Sequence, residues 1–187
     1  CDFAYQGLGE GIENDAIGVR TLLKKLDNLI ICSSYSKNFG LYSERVGCLI
    51  YHSKNMKNYS SVQSNFKKVA RTIYSNPPSH GSDIVKTILS DEKLKLLWVE
   101  NLDAAKNRII NMRKSLVENL VKENCSRNFE FIINQKGMFS FTGLTSDEVA
   151  QLKEKFSIYI VNSGRINVAG VTSKNVNYIA KAISSVT

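Results

Sequence analysis

The order of patterns along the chain predicts an α/β protein built in two parts. Short apolar runs of strand length alternate with segments of helical period before residue 90. One amphipathic stretch, from Ser90 to about Asn124, is far longer than any other, and past it the shorter alternation resumes. A helix of that length carries a chain from one layer or domain into another. The expected division is therefore residues 1–104 and 105–187, with a helix at about 91–123 spanning the boundary.

The elements follow from local pattern. Ala16, Val19, Leu22, Leu23 and Leu26 recur at helical spacing, so Asn14 to Leu26 is expected as a helix. Leu29 to Ser33 reads as a buried strand, and Val46 to Tyr51 as a second short one. Val62, Phe66, Val69 and Ile73 mark a helix that ends before the break NPPSHG at 76–81. The long helix runs through Leu94, Leu97, Trp98, Leu102, Ala105, Ile109, Met112, Leu116 and Leu120. Ser90 is the expected N-cap, with Asp91 and Glu92 in the first turn. Phe129 to Ile133 and Met138 to Thr142 read as strands, and Thr145-x-x-Glu148 as a capping box that opens a helix. Ile158 to Val161 and Ile166 to Ala169 are further expected strands. Val176, Ile179, Ala180 and Ile183 predict a closing helix.

Composition narrows the function class. The 187 residues suffice for one large domain or two small ones, and 43% hydrophobic with 22% charged residues is ordinary for a globular protein. No apolar run approaches the roughly 20 residues of a membrane span, and CDFAYQGLGEG lacks the plan of a signal peptide, so no membrane role is expected. Cys1, Cys32, Cys48 and Cys125 form no CxxC pair; Cys32 and Cys48 are expected to be buried in strands. His52 and His80 have no acidic or thiolate neighbours in sequence, so no metal site is expected. A reducing, cytoplasmic setting follows, with the mitochondrion left open. The net charge of +8 comes from lysines scattered over helix faces, without a basic run, and implies no nucleic-acid partner.

The chemistry concentrates in SSYSKNFGLYSERVG at 33–47. Lys37 stands in a small-polar and aromatic run directly after an apolar strand, where a lysine can be desolvated and act as a nucleophile toward a carbonyl carbon. Arg45 and the hydroxyls of Ser34 and Ser36 are phosphate-binding types, a planar fork and short donors from a turn. The bland alternatives are a surface lysine and an Arg45–Glu44 pair. Upstream, Asp2 and Tyr5 combine a carboxylate with a phenol three residues later. A pyridine cofactor uses both, one to keep the ring nitrogen protonated and one to donate to its phenolic oxygen.

Together DFAYQG, SYSKNFGLYSERVG, ARTIYSNPPSHG, GMFSFTGL and SGRINVAG closely resemble the aspartate aminotransferases, which are fold type I enzymes dependent on pyridoxal 5'-phosphate. The resemblance runs in order from Asp2 to the last helix. It implies part of a large mixed-sheet domain plus a small C-terminal α/β domain joined by the long helix. It implies that Lys37 holds the cofactor as a Schiff base and then shuttles the substrate proton. By the same resemblance Asp2 faces the pyridine nitrogen, Tyr5 the phenolic oxygen, and Ser34, Ser36 and Arg45 the phosphate. Arg165 clamps the α-carboxylate, Phe139 walls the pocket, and Arg71 grips a second carboxylate from the neighbouring subunit of a homodimer with shared active sites. The implied reaction is ping-pong transfer of an amino group between aspartate and 2-oxoglutarate. The alternatives are an aromatic amino acid aminotransferase, which can carry both arginines, and a catalytically silent binding or structural module.

One departure shapes the expectation. Family members are roughly twice as long, and the resemblance begins where their second half begins. The glycine-threonine phosphate loop, the aromatic residue stacked on the ring, the asparagine on the cofactor oxygen and the partner-subunit tyrosine have no counterparts in these residues. The N-terminal half of the same polypeptide is therefore an expected partner.

Overall fold

The computed structural model describes residues 1–187, residue 56 by its backbone alone. The chain divides into two units, one made of Cys1–Gly7 with Gly11–Leu102 and the other of Leu8–Glu10 with Asp103–Thr187.

The first unit is built on a three-stranded mixed sheet in the order β1-β2-β3. β1 (Asp2–Phe3) runs parallel to β2 (Asn28–Ser34), pairing Asp2 with Cys32 and Phe3 with Ser33. β3 (Gly47–Ser53) is antiparallel to β2, from Asn28 opposite Ser53 to Ser34 opposite Gly47. Side chains alternate across a strand, and in β2 Leu29 and Ile31 are buried while Ile30 and Cys32 are exposed. Gly47 is required for this pairing: a Cβ there would come within 2.6 Å of the Ser33 carbonyl oxygen. Helices α1 (Ile12–Asp15) and α2 (Ile17–Lys25) connect β1 to β2. After β3 come α3 (Tyr59–Tyr74) and α4 (His80–Ser90).

Helix α5 (Glu92–Lys122) runs through the boundary between the units. Its cap is Asp91, whose Oδ1 accepts from the Leu94 N–H at 3.0 Å. Ser90, the expected cap, closes α4 instead. The second unit contains a two-stranded antiparallel ladder of β4 (Phe139–Phe141) and β5 (Arg165–Asn167), with α6 (Ser146–Phe156) and α7 (Val176–Val186). Its core gathers Leu116, Leu120, Ile132, Leu152, Val168 and Ala180, all essentially inaccessible to water. No helix among the described residues is long and apolar enough to cross a membrane.

Several expectations are corrected. Residues 129–133 do not form a strand; Glu130–Asn134 is a 3₁₀ turn. Phe129 and Ile132 are buried while Phe131 and Ile133 are exposed, a spacing of three, and the Ile132 N–H bonds back to the Phe129 carbonyl. Residues 158–161 form no strand: among the described residues β5 pairs only with β4, and Tyr159 is 74% exposed. The strand expected at Ile166–Ala169 stops at Asn167, whose side chain accepts from the Ala169 N–H and turns the chain. The single helix expected over 14–26 is two, broken at Ala16. α4 was hidden by the prolines at 77 and 78, after which Val85 and its neighbours resume a helical period. Cys32 and Cys48 are exposed, not buried: Cys32 alternates onto the face opposite Leu29 and Ile31, and β3 is an edge strand.

The capping box at Thr145 is present. Thr145 Oγ1 accepts from the Glu148 N–H, and Glu148 Oε2 accepts from the Thr145 N–H at 2.7 Å. Glu148 also receives both terminal nitrogens of Arg127, at 3.2 and 2.6 Å. Burial alone would raise the Glu148 carboxyl; the hydrogen bonds from Arg127 and Thr145 and the Arg127 charge outweigh it and hold the group below the usual glutamate range. Its stabilising effect is thus fully present above the ordinary value of about 4.3 and is lost as pH falls through the lower folded value. Glu148→Gln should destabilise the protein by about 1–2 kcal/mol at neutral pH and flatten the acid limb of its stability curve. Urea unfolding from pH 3 to 7, with wild-type and variant curves converging at the acid end, is the measurement that checks it.

Candidate active site

The lysine turn begins where β2 ends. Past Ser34, the Tyr35 N–H donates to the Val46 carbonyl at 3.2 Å, and the Ser36 N–H donates to Ser34 Oγ at 3.2 Å. The Phe39 N–H donates to the Tyr35 carbonyl and the Gly40 N–H to the Lys37 carbonyl, closing a tight loop. Gly40 sits at φ +69°, where a residue without Cβ fits best. The Phe39 ring stacks on Trp98 of α5 at 4.5 Å between centroids, and Tyr35 meets Phe39 edge-on at 5.4 Å. Burial, followed by the Cys48 charge, raises the Tyr35 phenol above its ordinary range, so it stays protonated.

Asn38 binds this loop to its surroundings. The Trp98 indole donates to the Asn38 carbonyl at 2.8 Å, and Asn38 Nδ2 donates to the Gln6 carbonyl at 3.3 Å. Ser36 and Asn38 are buried, while Lys37 between them is half-exposed. Asn38 thus joins the residue after Lys37 to the residue after Tyr5. The Lys37 Nζ lies 4.7 Å from the centroid of the Tyr5 ring, a cation–π contact.

Asp2 heads the same strand ladder, and its carboxylate accepts no hydrogen bond among the described residues. Pairing with Cys32 places it on the sheet face that Ser34 also uses, two residues further along β2. Arg45 adopts φ +52° and donates to the Tyr42 carbonyl at 2.8 Å. It does not pair with Glu44, which meets His80 Nδ1 at 2.8 Å instead. Gly81 of α4 allows that segment to seat closely, since a Cβ would approach Glu44 Cβ to 2.9 Å and Val46 Cβ to 3.0 Å. Arg71 is exposed in the last turn of α3.

In the second unit, Arg165 stands opposite Phe141 in the ladder, with its Cζ 4.8 Å from the Phe139 ring centroid. Gly164 at φ +73° makes this entry possible; a Cβ would meet the Leu144 carbonyl oxygen at 2.8 Å. Lys37, Arg45, Arg71 and Arg165 have no carboxylate partner among the described residues, whereas Arg20, Lys54, Lys106, Arg127 and Lys136 each have one. No cluster of metal-binding side chains occurs among the described residues.

Within the first unit, then, the structure brings together Tyr5, Ser34, Ser36 and Lys37, with Asp2 on the adjoining strand. The sequence reading missed Asn38 and Trp98. Both carried a signal: Asn38 is an amide beside the candidate nucleophile, and Trp98 is the chain's single tryptophan.

Known proteins resemble the chain over nearly its whole length. The family model for aminotransferase class I and II matches residues 1–183. An aspartate aminotransferase of Salmonella typhi is 46% identical over 185 residues, 99% of this chain and 47% of that protein. An aromatic-amino-acid aminotransferase of Pseudomonas aeruginosa is 42% identical over 99% of this chain and 46% of its own length. The chain therefore spans about half the length of these relatives. The crystal structure of an aromatic-amino-acid aminotransferase from Burkholderia pseudomallei, covalently bound to pyridoxal phosphate, superposes with a TM-score of 0.95. It is 45% identical and covers 99% of this chain and 46% of that one.

The buried amide of Asn38 generates a test of the turn. Its Oδ1 has no hydrogen-bond partner among the described residues, and a carboxylate there would set a charge against the Gln6 carbonyl. Asn38→Ala should lower stability by about 1–3 kcal/mol through the lost bond. Asn38→Asp should lower it further, although it is closer in shape. Chemical denaturation of both variants at neutral pH would reveal an error in this geometry if the order were reversed.

Proposed function

The chain belongs to the class I and II aminotransferases, and on that premise we propose that it forms the lysine-bearing half of an aspartate aminotransferase. The observation that carries this reading is the uncommitted Lys37 amine, held between two buried neighbours and over the Tyr5 ring. The donor set fits pyridoxal 5'-phosphate: an amine, a free carboxylate on the adjacent strand, a phenol, serine hydroxyls at a turn and a guanidinium not engaged by an acid.

When bound, the cofactor supplies a carbonyl carbon to exchange with the substrate amine and a ring that withdraws electrons from the substrate carbon. The residues of this chain do the rest. Lys37 would hold the group covalently through its amine and would be the base that moves the proton from the substrate carbon. Asp2 would keep a proton on the pyridine nitrogen, and Tyr5 would donate to the phenolic oxygen. Arg45, Ser34 and Ser36 hold the phosphate. Arg165 takes the α-carboxylate in a two-point grip while Phe139 shields it from water. Arg71, reaching into the neighbouring subunit's site of a homodimer, takes the distal carboxylate of aspartate or 2-oxoglutarate. An N-terminal half of the same polypeptide supplies the remaining walls. The four cysteines are free thiols, which suits a reducing compartment such as the cytoplasm. The similarity to an aromatic-amino-acid aminotransferase favours a second reading, in which aromatic substrates share the same arginines.

In the complete polypeptide, the protein should show a visible absorption band that borohydride abolishes, leaving the modification on the peptide containing Lys37. Lys37→Ala should remove transamination by many orders of magnitude while some cofactor remains held through its phosphate. Near-normal turnover in that variant, or no band in the wild type, would sink the proposal and favour a silent module. Arg71→Asp separates the substrate readings. Efficiency for aspartate should fall by about 3–5 kcal/mol of transition-state binding, with neutral side chains affected far less. Equal losses for aspartate and phenylalanine would remove the dicarboxylate assignment. Mixed Arg71→Asp and Lys37→Ala subunits should regain some activity through hybrid dimers.

A further inference from the structure

Arg113 lies on the apolar stripe of α5 between Ile109 and Leu116, and only 2% of it is exposed. No carboxylate pairs with it among the described residues. Burial depresses the guanidinium below its ordinary range, the expected response of a cation without a counter-charge. An apolar side chain of similar volume would fill the slot without that desolvation. It could not supply a rigid fork that holds two acceptors at once.

Those two acceptors belong to one short segment. Arg113 Nε donates to Ser140 Oγ at 3.1 Å, and its Nη2 donates to the Gly137 carbonyl. Gly137, at φ +80°, turns the chain into β4, and Ser140 is the central residue of that strand, opposite Ile166. Between them the Met138 carbonyl accepts from the Val168 N–H at 2.8 Å. Phe139 is therefore fixed on both sides, and its ring is the surface against which the Arg165 guanidinium rests.

We propose that Arg113 is a positioning residue: by pinning Gly137 and Ser140 to α5 it seats the Phe139 ring, and through that ring it orients the Arg165 fork toward a carboxylate. This deepens the reading of Arg165 as the α-carboxylate clamp and rests on it. Arg113 itself touches no substrate. Its contribution is to the angle at which Arg165 meets one, where a displacement of an ångström is felt strongly.

The test uses the complete cofactor-loaded protein and succinate as the probe, with affinity measured by calorimetry and the fold by thermal melting. Arg113→Met should weaken succinate binding by about tenfold while the cofactor absorption stays unchanged. Arg113→Lys, which keeps the charge and can satisfy one acceptor, should recover part of that loss. Ser140→Ala, which keeps the cation and removes one anchor, should give a smaller loss in the same direction. In turnover, KM for aspartate should rise more than kcat falls. Wild-type succinate affinity in folded Arg113→Met, even with a lowered melting temperature, would overturn the proposal by showing a purely structural role. Should Arg113→Met fail to fold, unchanged affinity in Ser140→Ala overturns it equally. Arg165→Leu serves as the control: if that variant binds succinate as the wild type does, the clamp reading itself falls, whatever Arg113 does.

Discussion

The hydrogen bond from the Trp98 indole to the Asn38 carbonyl, with Phe39 stacked on the same ring, holds the lysine turn in place. A loop at a strand end is ordinarily the mobile part of an α/β unit, because little of it is buried. Here an aromatic stack and two buried polar contacts replace that freedom. The residues on either side of Lys37 are fixed, and the lysine alone keeps its amine clear of hydrogen-bond partners. The Asn38 link to the Gln6 carbonyl, together with the β1–β2 register, ties the segment bearing the amine to the one bearing the Tyr5 ring.

Charge pairing makes the same division between supporting and working residues. Glu148 is committed to Arg127 and to the start of α6, Glu10 to Lys136, and Asp103 to Lys106. Glu44 engages His80 and so leaves its neighbour Arg45 to a backbone carbonyl. Lys37, Arg45, Arg71 and Arg165, for which the family resemblance implies anionic ligands, have no acid partner among the described residues, a condition they share with Arg108 and many surface lysines. An arginine already neutralised by a carboxylate would have to break that pair before it could bind a phosphate or a substrate. Arg113 is also without an acid but is buried, and its fork is spent on Ser140 and the Gly137 carbonyl.

Much of the fold was legible in residue pattern. The long helix, the strand before Lys37, the helix around Phe66 and the Thr145 capping box all follow from periodicity and cap chemistry acting within a few residues. Errors arose where an apolar run could be satisfied in two ways. Phe129 to Ile133 has strand composition, but only Phe129 and Ile132 find a core, and their spacing of three winds the segment. Ile158 to Val161 has the same composition and, among the described residues, no neighbouring strand to pair with. Arg113 was legible in principle, as a cation at a position where the 109–116–120 stripe calls for an apolar side chain.

The sequence by itself determined the chemistry available: an isolated lysine in a small-polar turn, a carboxylate and a phenol upstream, and arginines in segments that together resemble one enzyme family. Those are properties of residue type and short spacing, which no later packing can alter. Only the tertiary structure decided which groups are committed and which are free. Whether Arg45 meets Glu44, whether Cys32 faces core or solvent, and what Asn38 holds all depend on contacts between residues far apart in sequence. Burial and hydrogen-bond pairing are set by the neighbours that folding assembles, and those neighbours are not written in any local stretch of chain.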